Sequence, residues 1–588
     1  MTSIAARLVV GVATFAVVAA LSGVEPRLAQ EPADLVLRNG KILTVDARDT
    51  IAQAVAIRAG RIVAVGSEDE IKPSVGSRTQ VIDLQGRTAT PGLIDIHVHF
   101  SAAYTLYSLD VGDPAIKSIS DVLARVRELV AKRKPGEWVV GRGWDEGKFA
   151  ERRYITAADL DRVAPNNPVY LTQTTGHYGV ANTYALKIAE INRNSKDPPA
   201  GTIDRDTSGR PTGVLKERAQ QLVTRHVPPL TREQQKAGIL KITEEFNKEG
   251  MTGAKDPGIG SEKWELYQEL AKEDKLTTRV HALWRVRTLD DLKAFMTRLQ
   301  SLPRPQAWLA DGGLSLGGVK LGMDGSGGAR TAWMHEDWNK DFTGKDTGNA
   351  GYPVTEPKLY QDIVRQLHNA GVHVSTHAIG DRAIDFVVDT YDDALKSRPT
   401  RGLRHGIIHA NTPTDHANDV MARLQNEYDA GYPEASASFI WWIGDTYAAN
   451  LGPQRAPRLK PLQTWLRKGI KWAGGSDYGV TPFPARYGLW ASVARETLHG
   501  VHGATPFGMA EAVDIKTALR SFTIWAAQQM FLEGRIGSIE VGKDADIAVW
   551  DRDMYSVPTA SLKDLVCELT LFRGKVVYRA ASTPIRTP

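Results

Sequence analysis

Between two hairpin-rich ends, this chain carries a long middle in which short apolar runs alternate with amphipathic helical stretches. That alternation restricts the middle to parallel sheet, open or closed, with helices packed on it. Residues 119–133 read as a helix with Ser118 or Ser120 as cap, 233–249 as a second with Thr231 as cap, and 356–370 as a third. Gly371 follows the third, and then an apolar strand, Val372-His373-Val374-Ser375-Thr376-His377. The ends read differently. Residues 35–45 form a strand pair broken at Asn39-Gly40, and 54–65 repeat the form around Ala59-Gly60-Arg61. Residues 546–550 are a strand and 571–578 another hairpin. One β-sandwich built from both termini is expected, with 30–91 as its first part and 537–588 as its second. The body is then 92–536, and an insertion at about 135–225 is expected in it. Its stretch 150–217 is polar and turn-rich, and long insertions of this kind often carry function.

Composition excludes some classes of function. The 73 basic and 68 acidic side chains leave a net charge of +5 spread over 588 residues, with no long basic block, so no nucleic-acid partner is expected. At 42% hydrophobic there is ample material for a large core. Cys567 has no partner with which to form an intramolecular disulfide; it sits in a strand-like run and reads as a buried, inert thiol. Residues 8–21 (LVVGVATFAVVAAL) are uncharged and mostly apolar, follow Arg7, and give way to Glu25-Pro26-Arg27 and the small Ala29. This is the pattern of a secretory signal peptide, 1–29. The run is short for a membrane span of about 20 residues. A periplasmic or secreted protein is expected, without a stable membrane span after processing; an uncleaved anchor is the alternative.

The sharpest chemical feature is Pro91-Gly92-Leu93-Ile94-Asp95-Ile96-His97-Val98-His99. Residues i and i+2 of a strand point to the same side, so both imidazoles can reach one metal ion from one strand end. Zinc takes neutral imidazole nitrogens at about 2.0–2.1 Å.

The stretch PGLIDIHVHF resembles the opening metal motif of the amidohydrolase superfamily. From about residue 34 to 578 the chain is similar to one branch, the family-3 amidohydrolases that include the N-substituted formamide deformylases. The resemblance runs through Gly143-Trp144-Asp145, Gly176-His177, Gly213-Val214-Leu215-Lys216-Glu217, Val319-Lys320-Leu321 with Asp324-Gly325-Ser326, His377-Ala378-Ile379-Gly380-Asp381, Ser476-Asp477, and the late run from Gly537 to Asp546. It implies an α/β fold, a (β/α)₈ TIM-like barrel beside the β-sandwich, with the site at the C-terminal strand ends. A bare barrel takes about 250 residues, which leaves room for the insertion. By the same resemblance His97 and His99 are first-strand metal ligands, and Lys320 matches a strand lysine carried as a carbamate between two metals. His377 and His409 match the fifth- and sixth-strand ligands, ahead of their neighbours His373 and His405. Asp477 matches the eighth-strand general base and ligand. A free ammonium beside a dication would be repelled, so Lys320 must lose its proton or be capped. His177 is expected to face substrate, and Trp144, Asp145, Asp324 and Arg330 to wall or orient the pocket. One departure is Ile408, where the family often has Glu before the sixth-strand histidine; a supporting carboxylate is then missing or comes from elsewhere. Trp441-Trp442 is either core or an aromatic rim.

The expected reaction is hydrolysis of a C–N bond, as in an N-acyl or N-formyl amine, in a small-molecule substrate. One or two divalent ions, zinc foremost, would lower the pKa of water from about 15.7 to about 7. Asp477 would take the proton and return it to the leaving nitrogen, while the metal and His177 steady the oxyanion; such acid–base help is worth roughly 10²–10⁴-fold. Lactone or ester hydrolysis, or ring deamination, would use the same site. An exported binding protein without catalysis is the reading of another class, and the full set of histidines, lysine and aspartate argues against it. A homodimer remains open.

Overall fold

The computed structural model describes residues 31–303, 306–340, 344–345, 347–500 and 507–581; the expected leader, 1–29, lies outside them. Among the described residues, eight strands run parallel in one sheet: β1 (Leu93–Asp95), β2 (Met251–Ile259), β3 (Arg279–Arg285), β4 (Leu314–Gly322), β5 (Val374–Ala378), β6 (Gly406–His409), β7 (Tyr432–Ala435) and β8 (Ala473–Gly474). Each pairs with the next. Ile96 N donates to Gly474 O at 3.0 Å, so the last strand meets the first in a nearly closed barrel. Strands covered on both faces need continuous apolar or small residues, and β2 and β4 are buried almost throughout.

Helices α1 (Arg232–Lys248), α2 (Ser261–Lys272), α3 (Leu289–Leu299), α4 (Pro357–Asn369), α5 (Asp381–Ser397) and α6 (Asp415–Tyr428) surround the sheet. Their starts are set by side chains that satisfy the first free N–H groups. Thr231 and Gln234 form a reciprocal capping box for α1, and the Glu356 carboxylate accepts from Lys358 N and Leu359 N ahead of Pro357 in α4. Ile242, Phe246, Leu270, Ile363, Leu367 and Val388 bury the inner faces against the barrel.

Between β1 and α1 the chain builds a separate mixed sheet from Leu109–Asp110, Val139–Trp144, Val169–Gln173, Tyr178–Ala181, Gly201–Arg205 and Pro211–Glu217. The helix expected at 119–133 forms as Ile119–Val130, capped by Ser118, and packs Val122 and Val126 into this layer's own core. The layer therefore begins well before the chain turns polar.

The two ends meet in a sandwich of two sheets. One pairs strands 61–66, 54–58, 35–38 and 80–83; the other joins 51–52, 41–43 and 88–91 to the late strands 547–550, 567–572 and 575–579. Leu37, Ile57 and Ile82 of the first pack on Ile547, Val549 and Leu571 of the second. The hairpins at Ala59-Gly60 and Arg573-Gly574 form as expected. The segment 35–45 is not a hairpin: Leu35–Arg38 and Lys41–Leu43 lie in different sheets, and Asn39 (φ 54°) turns the corner between them. Cys567 is buried and burial pushes its thiol up to about 12, as an inert thiol requires. Arg279, at the start of β3, ties barrel to sandwich: Nε donates to Asp546 and Nη2 to Asp544, each at 2.8 Å, and Nη1 to Gly312 O at 2.7 Å. Among the described residues no helix is long and apolar enough to cross a membrane.

Candidate metal centre

At the C-terminal mouth of the barrel, β1 and β8 are locked together by Asp95. Its Oδ1 accepts from His97 N and Ser476 N, both at 3.0 Å, and its Oδ2 from the Ser476 hydroxyl at 2.6 Å. Burial lifts this carboxyl to about 7 against those hydrogen bonds. Gly475 allows the approach, since a Cβ there would lie 2.8 Å from His97 N. Asp477 N then donates to His97 O at 2.6 Å, which brings the two side chains face to face.

The result is a cluster of donors. Asp477 Oδ1 lies 3.4 Å from His97 Nε2 and 3.3 Å from His99 Nε2, and ligand atoms of these three residues fall within 4.8 Å of one another. His409 Nε2 is 3.9 Å from Asp477 Oδ2. Asp477 Oδ1 is buried and has no hydrogen-bond partner among the described residues. Burial opposes its ionisation, but His97, His99 and His409 outweigh it and hold the carboxyl well below the usual range. Imidazole nitrogens around an orphaned carboxylate oxygen suit a divalent ion, and His97, His99, His409 and Asp477 are the residues that would hold it.

His409 is braced from below by Lys460, whose Nζ donates to His409 O at 2.7 Å, and by Phe439, stacked on its ring at 5.4 Å. His377 lies beside His409, ring centres 4.7 Å apart, but its Nε2 is given to Gly325 O at 2.9 Å. Lys320 lines the same cavity, and burial followed by the charge of Arg285 pushes its amine down to about 7. His373 and His405 are core histidines: His373 bonds Leu403 O, and His405 bonds His368 and Val374 N.

The cavity over the cluster is about 900 Å³, and the inserted layer supplies one wall. From that wall comes His177, its Nδ1 3.0 Å from both oxygens of Glu217 and its ring 5.1 Å from that of His377. Burial works against a charged imidazole here, but Glu217, with Asp477 and Asp324 behind it, raises His177 above its ordinary value. Asp324 lines the cavity as a clamp rather than a free acid: it accepts from Ile379 N, Gly380 N and Trp333 N, and joins the loop after β4 to that after β5. Burial lifts it to about 7.

Trp144, Asp145 and Arg330 do not wall the cavity. Trp144 is fully buried in the inserted layer, against Phe149 and Tyr178, with Nε1 bonded to Leu171 O. Asp145 caps the following turn through Gly147 N and accepts from Thr446 Oγ1. Arg330 is buried in the turn after β4 at φ 55°. Trp442 belongs to a core with Ile440 and Tyr447, and Trp441 packs on Tyr487 and Trp490.

Some of the chain's non-glycine residues with positive φ lie here: Glu217 (49°), His409 (71°), Ala410 (43°) and Asp477 (55°). Each costs of order 1–3 kcal/mol, and such strain persists where a site needs it.

The model of the Amidohydrolase family matches residues 80–578. The N-substituted formamide deformylase of Arthrobacter pascens is 29% identical over 561 residues, 93% of this chain and 98% of that protein. LONG AFTER FAR-RED 3 of Arabidopsis thaliana is 30% identical over 565 residues, covering 93% of this chain and 92% of that one. Among solved structures, a metal-dependent hydrolase of uncharacterised role from Pyrococcus horikoshii superposes with a TM-score of 0.67 over 90% of this chain and 99% of its own, at 23% identity.

Proposed function

This chain belongs to the amidohydrolase family and is a metal-dependent hydrolase of non-peptide C–N bonds, and from that premise we propose that it cleaves an amide or formamide bond in a small molecule. The observation that carries the reading is the convergence of His97, His99, His409 and Asp477 at one cavity floor with Asp477 Oδ1 unspent. The donor set suits zinc, one ion or two. Bound there, a divalent ion supplies the Lewis acidity that makes water a nucleophile near neutral pH. Asp477 Oδ1 accepts the proton of the attacking water and hands it to the leaving nitrogen. His177, whose charged form Glu217 favours, donates from Nε2 to the carbonyl oxygen as charge builds on it. Lys320 is the residue to carry a carbamate, because a lysine amine held near 7 is partly neutral, the form that adds carbon dioxide.

The cavity also carries guanidinia of Arg142 and Arg285. Each bonds a main-chain carbonyl, Gly479 O and Gly258 O, and neither has a carboxylate partner among the described residues. We therefore expect amides that bear a carboxylate to be preferred. The test is a panel of neutral and carboxylate-bearing N-formyl and N-acyl amines. Chelation is expected to abolish turnover and Zn²⁺ to restore it, with kcat/KM about tenfold or more in favour of the anionic members. Turnover of esters or lactones alone would sink the amide reading.

A pH profile tests His177. Its charged form is complete below the ordinary value of about 6.5 and is lost as pH rises through the raised folded value. The basic limb of kcat/KM is expected to follow that loss. Glu217→Gln removes the foremost charge that opposes burial, so the limb is expected to move to lower pH; a limb that stays put removes His177 from the mechanism.

A further inference from the structure

Beneath the donor cluster the barrel encloses an ion pair that the chemistry above does not use. Lys255 on β2 and Glu434 on β7 are both 0% exposed, with Nζ 2.7 Å from Oε1. The remaining N–H bonds of Lys255 go to Ser375 Oγ at 2.8 Å and His373 Nε2 at 3.2 Å, and Ser375 Oγ donates to Glu434 Oε1 at 2.5 Å. The ammonium and one carboxylate oxygen are thus fully engaged. The other oxygen, Oε2, has no hydrogen-bond partner among the described residues, and neither has His97 Nδ1; the two face each other at 3.8 Å. Desolvating an ion pair is costly, and apolar side chains of similar size would stabilise the interior at least as well. Stability alone gives this pair no reason to be here.

We propose that Glu434, held in place by Lys255, is the positioning residue for His97: Oε2 is the acceptor that Nδ1–H faces, which keeps the proton on Nδ1 and Nε2 bare and aimed at the metal and Asp477. Ligating histidines generally give their second N–H to a carboxylate or carbonyl, which sets tautomer and ring angle. The arrangement also answers Ile408: the supporting carboxylate comes from the seventh strand and serves the first-strand ligand.

The test uses the full-length protein stripped of metal, with Zn²⁺ affinity read by competition with a chromophoric chelator. Glu434→Gln is expected to weaken Zn²⁺ binding about 10–100-fold. The double variant Lys255→Met/Glu434→Leu fills the same space with apolar groups and lets Ser375 bond His373 Nε2, 2.9 Å away. It is expected to melt at or above the parental temperature and still lose the same affinity, a split that a merely structural pair would not produce. Parental affinity in the double variant, or affinity that rises and falls with stability, overturns the proposal. If Glu434→Gln does not fold, the double variant decides alone. The proposal rests on the metal reading, and the two fail separately: a parental protein that binds no Zn²⁺ sinks that reading instead.

Discussion

Asp477→Asn is expected to fold, to keep its place against His97 and His99, and to hydrolyse its substrate about 10²–10⁴-fold more slowly. The fold survives because what holds residue 477 is main chain: its N–H bonds His97 O at 2.6 Å, and Asn tolerates the φ of 55° as readily as Asp. The chemistry does not survive, because an amide cannot take the proton that the buried, ionised carboxylate accepts. The loss should fall on kcat more than on KM, since Arg142 and Arg285 are the groups proposed to hold the substrate. Parental turnover by a metal-loaded variant would remove Asp477 from proton transfer.

The second large effect is on stability. Arg279→Ala is expected to lower the free energy of unfolding by roughly 3–5 kcal/mol, the usual cost of leaving buried carboxylates without their cation. Arg279 is wholly enclosed, and its loss strips Asp546 and Asp544 of two hydrogen bonds at 2.8 Å. Arg535 still reaches Asp544 at 2.7 Å, so Asp546 bears most of the penalty. Arg279 opens β3, whereas the cavity lies at that strand's other end, where Arg285 lines it. Zn²⁺ affinity at the mouth should therefore be unchanged. A loss of less than about 1 kcal/mol in the free energy of denaturant unfolding would show that the sandwich is held without this tie.

Much of the architecture was legible because periodicity and caps are local. Thr231, Ser118 and Glu356 mark helix starts within a few residues of their effect. The pair His97 and His99 was legible because strand alternation alone puts both on one side. Lys320, His377, His409 and Asp477 came only from the order of motifs, since nothing local distinguishes His409 from His405. Trp144 and Asp145 misled for a physical reason: a Trp-Asp pair at a strand end serves equally well as a core plug and a turn cap, and here it is both. Lys255 and Glu434 carry a signal of another kind. A charged residue at an inward position of an apolar barrel strand is expensive, and the cost asks for a partner. The two lie 179 residues apart and meet only when the barrel closes. The split of residues 35–45 between two sheets was equally invisible, because an Asn-Gly turn looks the same whether the chain doubles back or changes layer.

The inserted layer packs around its own interior and lends the cavity a wall that includes His177 and Glu217, the latter held by Thr331 at 2.5 Å. Part of the wall that would face a guest thus lies on a separate length of chain, while His97, His99, His409 and Asp477 lie on the barrel. Substitutions in the inserted layer that spare His177 and Glu217 can therefore reshape that wall while the barrel's donors keep their places.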